Sequence, residues 1–210
     1  MADLKGISES LQKGQAPKVK ELVQQALDEK MAPEQVLTEG LLAGMEVVGR
    51  RFKANEIYIP EVLIAARAMH AGMDILKPLL SEKKDSASDL VAVGTVKGDL
   101  HDIGKNLVCM MLEGAGFEVL DLGIDVPKEK FVEAIKEKSP KVLGMSALLT
   151  TTMPAMKEAI DAISEAGLRD KVRIIIGGAP VTQNYSDEIG ADGYAADAAS
   201  AADKAKELLK

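Results

Sequence analysis

Residues 90–105 read LVAVGTVKGDLHDIGK, and this stretch decides the fold. Its first seven residues are mostly apolar and rich in valine, which is typical of a strand buried on both faces. A polar loop follows, and a helix is predicted from Ile103 to Glu113, where Gly114 ends it. The stretch therefore predicts a strand, a loop and a helix in succession, which is the repeating unit of a parallel sheet.

The rest of the chain after residue 105 repeats this alternation. Further strands are predicted at 118–122, 142–147, 173–176 and 194–196, and helices at 127–138, 153–166, 181–189 and 198–209. Five strand–helix units with right-handed crossovers predict an open α/β domain of the flavodoxin/Rossmann-like kind, with a parallel sheet in the order 2-1-3-4-5. In that order the ligand crevice lies at the carboxyl ends of the first and third strands.

The chain before residue 85 has a different character, because its apolar residues recur at helical spacing. One stripe comprises Leu37, Leu41, Met45, Val48 and Phe52, and a second runs over residues 62–80. Short connections between such helices favour an antiparallel bundle. Residues 81–88 are small or charged and are typical of a linker. We therefore predict two domains, a helical bundle over residues 1–85 and the α/β domain over residues 86–210.

The composition of the chain excludes several classes of protein. It carries 26 Lys and Arg against 33 Asp and Glu, a net charge of −7, and has three Phe, three Tyr, no Trp and one Cys. An acidic chain poor in aromatic residues lacks the basic groove and stacking platforms of nucleic-acid-binding proteins. One cysteine excludes an internal disulfide and an iron–sulfur cluster held by thiolates. No stretch approaches the roughly 18 apolar residues of a membrane span, and the first residues show no secretory signal, so a cytoplasmic location without membrane contact is expected.

Polar loops follow the first, third and fourth predicted strands, at residues 98–105, 146–152 and 177–180. Because parallel strands end at one edge of a sheet, these loops are expected on the same rim. The chain has two histidines, and His101 lies in the first of these loops, whereas His70 falls in the predicted bundle. The rim around His101 is therefore where we expect chemistry.

Asp99 precedes His101 by two residues, so in an extended loop both side chains point the same way. The carboxylate can then accept a hydrogen bond from one ring nitrogen and leave the other for a metal. Ser146, one strand over, is expected to support the carboxylate. Gly104 removes a side chain where a bulky ligand would press on the backbone. A helix-capping role for His101 is the alternative from this spacing alone.

Two other functional patterns are weaker matches. The pair His101-Asp102 is similar to part of a metal-phosphohydrolase site, but the chain has no further histidines near it to complete one. The glycines at Gly94 and Gly98 do not have the Gly-x-Gly-x-x-Gly spacing of a dinucleotide-binding loop. A nucleotide or flavin domain is therefore disfavoured.

Residues 94–106 closely resemble the cobalamin-binding motif of corrinoid proteins and of cobalamin-dependent methionine synthase. The family pattern is Asp-x-His-x-x-Gly, then Ser-x-Leu, then Gly-Gly, and it is matched by Asp99, His101, Gly104, Ser146, Leu148, Gly177 and Gly178. Each motif alone is unspecific, but all three in order at matching strand ends are a strong signal. Residues 44–49 and 57–62 resemble the helical cap module of that family, and the length is similar to that of a stand-alone corrinoid protein of anaerobic methyltransferase systems.

The resemblance implies that cobalamin binds base-off/His-on, with its benzimidazole base displaced from cobalt and replaced by His101. Asp99 and Ser146 would form the relay behind that ligand, and the displaced tail would enter a slot beside the sheet. The implied cofactor-binding residues are Gly98, Asp99, His101, Asp102, Ile103, Gly104, Ser146, Leu148, Thr150, Gly177, Gly178, Gly193, Tyr194 and Ala195. The implied cap residues over cobalt are Met45, Val48, Tyr58, Ile59 and Met69, for which a place in the bundle core is the alternative.

The function implied by the resemblance is that of a methyl carrier, not an enzyme on its own. A substrate-specific methyltransferase would load the cobalt from a methylamine, methanol or a methoxyaromatic. A second methyltransferase would pass the methyl group to an acceptor such as tetrahydrofolate or a thiol, and a reductive activase would restore oxidised cobalt. The small subunit of an adenosylcobalamin-dependent mutase and a cobalamin-sensing regulator are the alternatives. The helical cap ahead of the motif disfavours the mutase subunit.

Overall fold

The computed structural model describes residues 3–81 and 89–210. These residues fall into two compact units, one made of residues 3–81 with Gly114–Gly116, the other of residues 89–113 with residues 117–210. The boundary predicted after residue 85 and residues 82–88 of the predicted linker lie outside the described residues. The division at residue 85 therefore stays a prediction.

The first unit is helical, as its apolar periodicity predicts. Its helices are α1 (Leu4–Gln12), α2 (Ala16–Asp28), α3 (Pro33–Gln35), a π-helix (Val36–Leu42), α4 (Ala43–Lys53) and α5 (Ile59–Ser81). The π-helical segment differs from the uniform α-helical stripe expected there, because its wider turn buries Val36, Gly40 and Leu41 and leaves Leu37 half-buried. The buried face still consists of apolar side chains, which explains why the periodicity identified a helix.

The second unit contains five parallel strands in the order 2-1-3-4-5, which confirms the predicted topology. The strands are β1 (Leu90–Val96), β2 (Glu118–Val126), β3 (Val142–Ser146), β4 (Arg173–Gly177) and β5 (Gly193–Ala195). The helices are α6 (Ile103–Gly114), α7 (Lys128–Lys138), α8 (Pro154–Glu165), α9 (Gln183–Ile189) and α10 (Ala198–Leu208), with a short 3₁₀ turn at Arg169–Lys171. Phe131 of α7 and Met156 of α8 pack with Leu143 and Ile174 in one apolar core.

The register of the sheet aligns the strand ends that carry the motifs. Thr95 of β1 pairs with Ser146 of β3, Ser146 pairs with Gly177 of β4, and Gly177 pairs with Ala195 of β5. These four residues therefore form one row across the carboxyl edge of the sheet. Each polar loop predicted from the sequence begins at or just beyond this row, so the sheet itself collects the loops.

The glycine pair at the end of β4 is required by close backbone packing. A Cβ atom on Gly178 would overlap the carbonyl oxygen of Ala147, and the φ of Gly178 is +132°. A Cβ atom on Gly177 would lie 2.9 Å from the carbonyl oxygen of Ala195. The pair therefore allows the ends of β3, β4 and β5 to approach each other, and this approach shapes the rim.

We expect Gly178→Ala to destabilise the second unit severely. The substitution forces a side chain into a backbone contact and into a strained φ, so the free energy of unfolding should fall by about 3 kcal/mol or more. Gly167→Ala is the matched control, because Gly167 has a φ of +69° but open space around the site of a Cβ. The control should lose about 1–2 kcal/mol. Urea denaturation checks this, and equal losses in the two variants would show that the overlap with Ala147 is unimportant.

Candidate functional site

The loop that carries His101 follows β1 and is called here the histidine loop (residues 97–102). Gly98 turns the chain with a φ of +82°, and the amide of Asp99 donates a hydrogen bond to the carbonyl oxygen of Val96 (3.1 Å). The buried hydroxyl of Thr95 donates to the carbonyl oxygen of His101 (2.9 Å). The backbone on both sides of Asp99 is therefore tied to the end of β1.

Asp99 and His101 are in direct contact, as their spacing predicts. Nδ1 of His101 lies 2.7 Å from Oδ1 of Asp99, and the backbone amide of His101 donates to the same oxygen (3.1 Å). The side chain of Asp99 is fully buried, whereas that of His101 is 50% exposed. One carboxylate oxygen of Asp99 therefore holds both the backbone amide and the imidazole ring of His101 in place.

The second oxygen of Asp99 is held by the loop between β3 and α8, called here the threonine loop (residues 147–153). Oδ2 accepts hydrogen bonds from the amide of Leu148 (2.7 Å), the amide of Leu149 (3.3 Å) and the hydroxyl of Thr152 (2.7 Å). Burial alone raises the pKa of the Asp99 carboxyl, but these donors and His101 outweigh it and hold the pKa well below its usual range. Asp99 is therefore ionised at neutral pH.

An ionised carboxylate decides which ring nitrogen of His101 carries the proton. Because Asp99 can only accept a hydrogen bond, Nδ1 of His101 must be the donor. In the neutral ring the lone pair then lies on Nε2. The half-exposed imidazole therefore offers Nε2 as a ligand atom for a metal, which is the tautomer that the predicted cobalt ligation requires.

The hydroxyl behind Asp99 belongs to Thr152, not to Ser146 as expected from the sequence. Thr152 is buried and its hydroxyl reaches Oδ2 of Asp99. Ser146 instead lines the neighbouring cavity, and its hydroxyl makes no hydrogen bond to any of the described residues. The reason is that the threonine loop turns back after Leu149, which brings Thr152 beneath the carboxylate. The only signal in the sequence was the run of three threonines, and Thr150 and Thr151 are exposed.

A cavity of about 480 Å³ opens beside His101. Its floor includes Val93, Gly144 and Ile175, which pair with one another across β1, β3 and β4. Gly144 has no side chain at the centre of this row, which deepens the cavity. Val108 of α6 and Ala201 of α10 line it as well. The cavity is therefore a slot between the sheet and two helices, as the resemblance implies for the cofactor tail.

Most of the cofactor-binding residues expected from the sequence border this slot. Those that line it are His101, Asp102, Ile103, Gly104, Ser146, Leu148, Gly177, Gly178 and Ala195. Gly98, Asp99, Thr150, Gly193 and Tyr194 are not among its lining residues. Gly98 and Asp99 belong to the histidine loop without lining the slot. Of β5, only the last residue, Ala195, lines the slot. Sequence reasoning missed Gly144 in the floor and the α10 wall, although the alanine-rich start of α10 is visible in the sequence.

The mouth of the slot is apolar and has room for a large ligand. Leu100 and Ile103 are 68% and 73% exposed, and Leu148 and Leu149 of the threonine loop are 42% and 43% exposed. A Cβ atom on Gly104 would meet nothing within 4 Å, so the backbone there is open to a close approach. A flat, largely apolar macrocycle with a metal that accepts one imidazole nitrogen fits these residues.

An ion pair between a buried lysine and an exposed aspartate supports the wall of the slot. Lys105 is 3% exposed, and its Nζ lies 2.5 Å from Oδ2 of Asp121 on β2. Oδ1 of Asp121 accepts the amide of Gly123 (2.8 Å). Burial raises the pKa of Asp121, but Lys105 and the Gly123 amide lower it overall. The first turn of α6 is thereby attached to β2.

The five residues expected to cap cobalt lie in the helical unit and differ in exposure. Met45, Val48 and Met69 are buried, whereas Tyr58 is 65% exposed and Ile59 is 41% exposed. Tyr58 and Ile59 mark the start of α5, where the Tyr58 amide donates to Oε2 of Glu61 (3.1 Å). Only these two residues of the five have apolar area to offer to a ligand.

Comparison with known families agrees with this geometry. A family described as "B12 binding domain" matches residues 90–203, which include all three motifs of the slot. The chain belongs to the B12-binding family. A second B12 binding domain matches residues 4–77, the helical unit. The resemblance to corrinoid methyl carriers of methyltransferase systems is confirmed, and the cofactor of this corrinoid protein is a corrinoid.

Individual relatives extend over most of the chain. The dimethylamine corrinoid protein 1 of Methanosarcina acetivorans is 49% identical over 181 residues, which cover 86% of this chain and 85% of the relative. A cobalamin-binding protein from Desulfitobacterium hafniense DCB-2 superposes with a TM-score of 0.83 at 34% identity over 100% of both chains. The methanol:cobalamin methyltransferase complex MtaBC of Methanosarcina barkeri contains a chain with a TM-score of 0.87 at 33% identity, over 98% of this chain and 79% of that chain.

Within residues 3–81 and 89–210, every helix is too short or too polar to cross a membrane.

We expect Thr152→Val to cost more stability than Ser146→Ala. Valine keeps the shape of threonine but removes the donor to a buried carboxylate, so the free energy of unfolding should fall by about 1.5–3 kcal/mol. Ser146→Ala is the matched control in the next strand end and should change it by less than about 0.5 kcal/mol. Urea denaturation at pH 7 distinguishes the two. Equal losses would mean that the hydroxyl of Thr152 does not hold Asp99.

The same pair of variants has a defined pH dependence. The lowered pKa of Asp99 stabilises the fold above the unfolded-state pKa of about 3.9, and this contribution is lost as the pH falls towards the folded-state pKa. Thr152→Val moves the folded-state pKa upwards and leaves the unfolded-state pKa unchanged. The deficit of this variant relative to wild type should therefore stay nearly constant while folded Asp99 is ionised in both proteins, and shrink only at lower pH, where the folded variant takes up a proton before wild type does. A deficit in the free energy of unfolding that grows as the pH falls would contradict the hydrogen bond from Thr152 to ionised Asp99.

Proposed function

We propose that this chain binds a corrinoid base-off/His-on and carries a methyl group between two partner methyltransferases. The observation that supports this most is the pair formed by ionised Asp99 and half-exposed His101 at the mouth of an apolar slot. When bound, the corrinoid supplies cobalt that accepts a methyl group from one partner and releases it to another. The chain has the role of holding and orienting that cofactor.

In this proposal His101 is the lower ligand of cobalt, through Nε2. Asp99 keeps the proton on Nδ1 and limits rotation of the ring, because its Oδ1 also binds the backbone amide of His101. Thr152 and the amide of Leu148 hold Asp99 in turn. His101 would hold the cobalt, and the hydrogen bond to the Asp99 carboxylate would tune the basicity of its imidazole.

The displaced nucleotide tail is proposed to enter the slot beside His101. The floor and the α10 wall consist of small or aliphatic residues, which suits an aromatic base inserted edge-on. The carboxylate of Asp197 binds the amide and hydroxyl of Ser200, and the ammonium of Lys105 binds Asp121. Asp102, the other carboxylate of the lining, is exposed and accepts the side-chain amide of Asn106 (3.3 Å). Ser146 remains available to a polar atom of the tail.

The helical unit is proposed to shield the upper face of cobalt. Of the predicted cap residues, the exposed Tyr58 and Ile59 are the strongest candidates for contact with the corrin, and Met45, Val48 and Met69 support them from the bundle core. Access of a methyl donor then requires this cover to move away from the cobalt.

The proposed partners are a methyltransferase specific for a methylamine, an acceptor methyltransferase and a reductive activase. The methylamine is favoured as donor because of the similarity to the dimethylamine corrinoid protein, although the similarity to the chain of MtaBC makes methanol the next donor to test. The acceptor is proposed to be tetrahydrofolate or a thiol. In this proposal the chain is a carrier and has no catalytic activity without its partners.

We expect His101→Ala to abolish protein ligation of cobalt. The full-length chain, grown with ¹⁵N-labelled histidine and loaded with cobalamin, is reduced to the Co(II) state and measured by electron paramagnetic resonance. A histidine ligand gives a nitrogen splitting that changes with the ¹⁵N label. His70→Ala, which alters the other histidine, is the matched control and should keep the labelled splitting. A splitting insensitive to the label in wild type would exclude His-on binding.

We expect methyl transfer to need a partner enzyme. The reduced, cobalamin-loaded chain is incubated with ¹⁴C-labelled dimethylamine or methanol, with and without the cognate methyltransferase, and protein-bound label is counted. Label should appear only with a methyltransferase, and with the dimethylamine enzyme above the methanol enzyme. Retention of an adenosyl ligand by the purified protein, with no label in any mixture, would favour the mutase subunit instead.

A further inference from the structure

Asp125, near the end of β2, has an unusual backbone conformation beside the histidine loop. Its φ is +51°, a left-handed value that non-glycine residues seldom adopt, and its side chain is exposed. Such a conformation costs free energy and persists where surrounding contacts maintain it. The contacts of Asp125 therefore identify what the conformation serves.

Two hydrogen bonds join Asp125 to the residues just before His101. The amide of Asp125 donates to the carbonyl oxygen of Asp99 (3.0 Å), and Oδ1 of Asp125 accepts the amide of Gly98 (2.7 Å). The two bonds run in opposite directions between the same two segments, so they form a reciprocal clamp. With its left-handed φ, Asp125 makes both hydrogen bonds at once. These bonds are therefore what the strained conformation serves.

The sheet ladder alone does not fix this part of the chain. Pairing between β1 and β2 is irregular, with register shifts between Val93 and Gly94 and between Gly94 and Val96. The last pair of the ladder is Val96 with Val126, ahead of the histidine loop. Beyond it, Gly98 has a φ of +82° and would be free to choose among several conformations. The Asp125 clamp selects one of them.

The orientation of the carboxylate of Asp99 depends on that choice. Its Oδ1 binds the ring of His101 and its Oδ2 binds the threonine loop, so the carboxylate must bridge two segments with little tolerance. The clamp fixes the backbone of Asp99 on one side, while Lys105, bound to Asp121, fixes α6 on the other. The segment from Gly98 to Lys105 is therefore attached to β2 at both of its ends.

We propose that Asp125 is a positioning residue that acts through Gly98 and Asp99 to hold His101 ready for the cobalt of the corrinoid. The inference rests on the proposed function, because it presumes that His101 is the cobalt ligand. Asp125 lines no part of the slot, so its effect on cofactor binding is indirect. It lies outside the three motifs that identified the site.

The test compares Asp125→Gly, Asp125→Asn and wild type as full-length chains. Glycine keeps the amide and accepts the left-handed φ without strain but removes the acceptor for Gly98. Asparagine keeps an acceptor oxygen. Ser139→Gly is the matched control, because Ser139 has a similar φ of +49° at the end of α7 and does not line the slot. The readouts are the histidine-derived nitrogen splitting of bound Co(II) cobalamin, the Kd for cobalamin and the urea midpoint without corrinoid.

For Asp125→Gly we expect about tenfold weaker cobalamin binding, equivalent to about 1.4 kcal/mol, and a smaller fraction of cobalt with the histidine splitting. Asp125→Asn should recover most of both, and Ser139→Gly should match wild type. Unchanged splitting and Kd in Asp125→Gly would overturn the inference, as would a loss in Asp125→Asn as large as in Asp125→Gly. A urea midpoint that falls in parallel with the affinity would also overturn it, because Asp125 would then be merely structural.

The same experiment separates this inference from the proposed function. If wild type shows no histidine-derived splitting, His-on binding is wrong and the role of Asp125 falls with it. If wild type shows the splitting and Asp125→Gly shows it equally, only the role of Asp125 is wrong.

Discussion

A buried carboxylate that stays ionised must be surrounded by hydrogen-bond donors, and this requirement organises the site around Asp99. Its two oxygens accept from the ring and amide of His101 and from the threonine loop. Removal of Asp99 from water is unfavourable, so the donors cannot be lost singly without cost. The conformations of both loops and the tautomer of the imidazole follow from this one group. The slot beside it is by contrast lined mostly by small or aliphatic residues, and Lys105 and Asp197 of its lining bind other groups of the protein.

This division separates two tasks that a large metal cofactor imposes on a protein. In the proposed function His101 is the ligand of the metal, and the hydrogen bond from its Nδ1 to Asp99 controls the basicity and direction of its ring. The organic part needs room and apolar contact, which Gly144, Gly104 and the alanines of α10 supply by having little or no side chain. Because the two tasks use different residues, a substitution in the slot leaves the hydrogen bonds of Asp99 in place. The low aromatic content of the chain fits such a slot, in which backbone and aliphatic contacts replace stacking.

How far the sequence could predict this structure depends on the range of the interactions concerned. The strand order and the Asp99–His101 contact were accessible, since they follow from alternation along the chain and from a spacing of two residues. The hydroxyl that binds Asp99 was not accessible, because Ser146 at the end of β3 and Thr152 in the following loop both carry a hydroxyl, and only the turn of the threonine loop decides between them. The π-helix at Val36–Leu42 was not predicted either, since an apolar stripe indicates a helix but does not distinguish a π-helix from an α-helix. The sequence indicated that Gly177 and Gly178, at the end of β4, lie at the ligand-binding rim. Their close contacts with the backbone of Ala195 and Ala147 could be seen only in the structure.

The separation of Asp99 and Thr152 along the chain also bears on how the protein acquires its cofactor. The two residues are 53 positions apart, and the bond between them exists only after β3 has paired with β1. A growing chain that has been synthesised as far as α6 already contains the histidine, but its ring has no fixed tautomer or orientation. A fixed His101 ring therefore requires a chain that extends at least to Thr152 and has formed the contact between the histidine loop and the threonine loop.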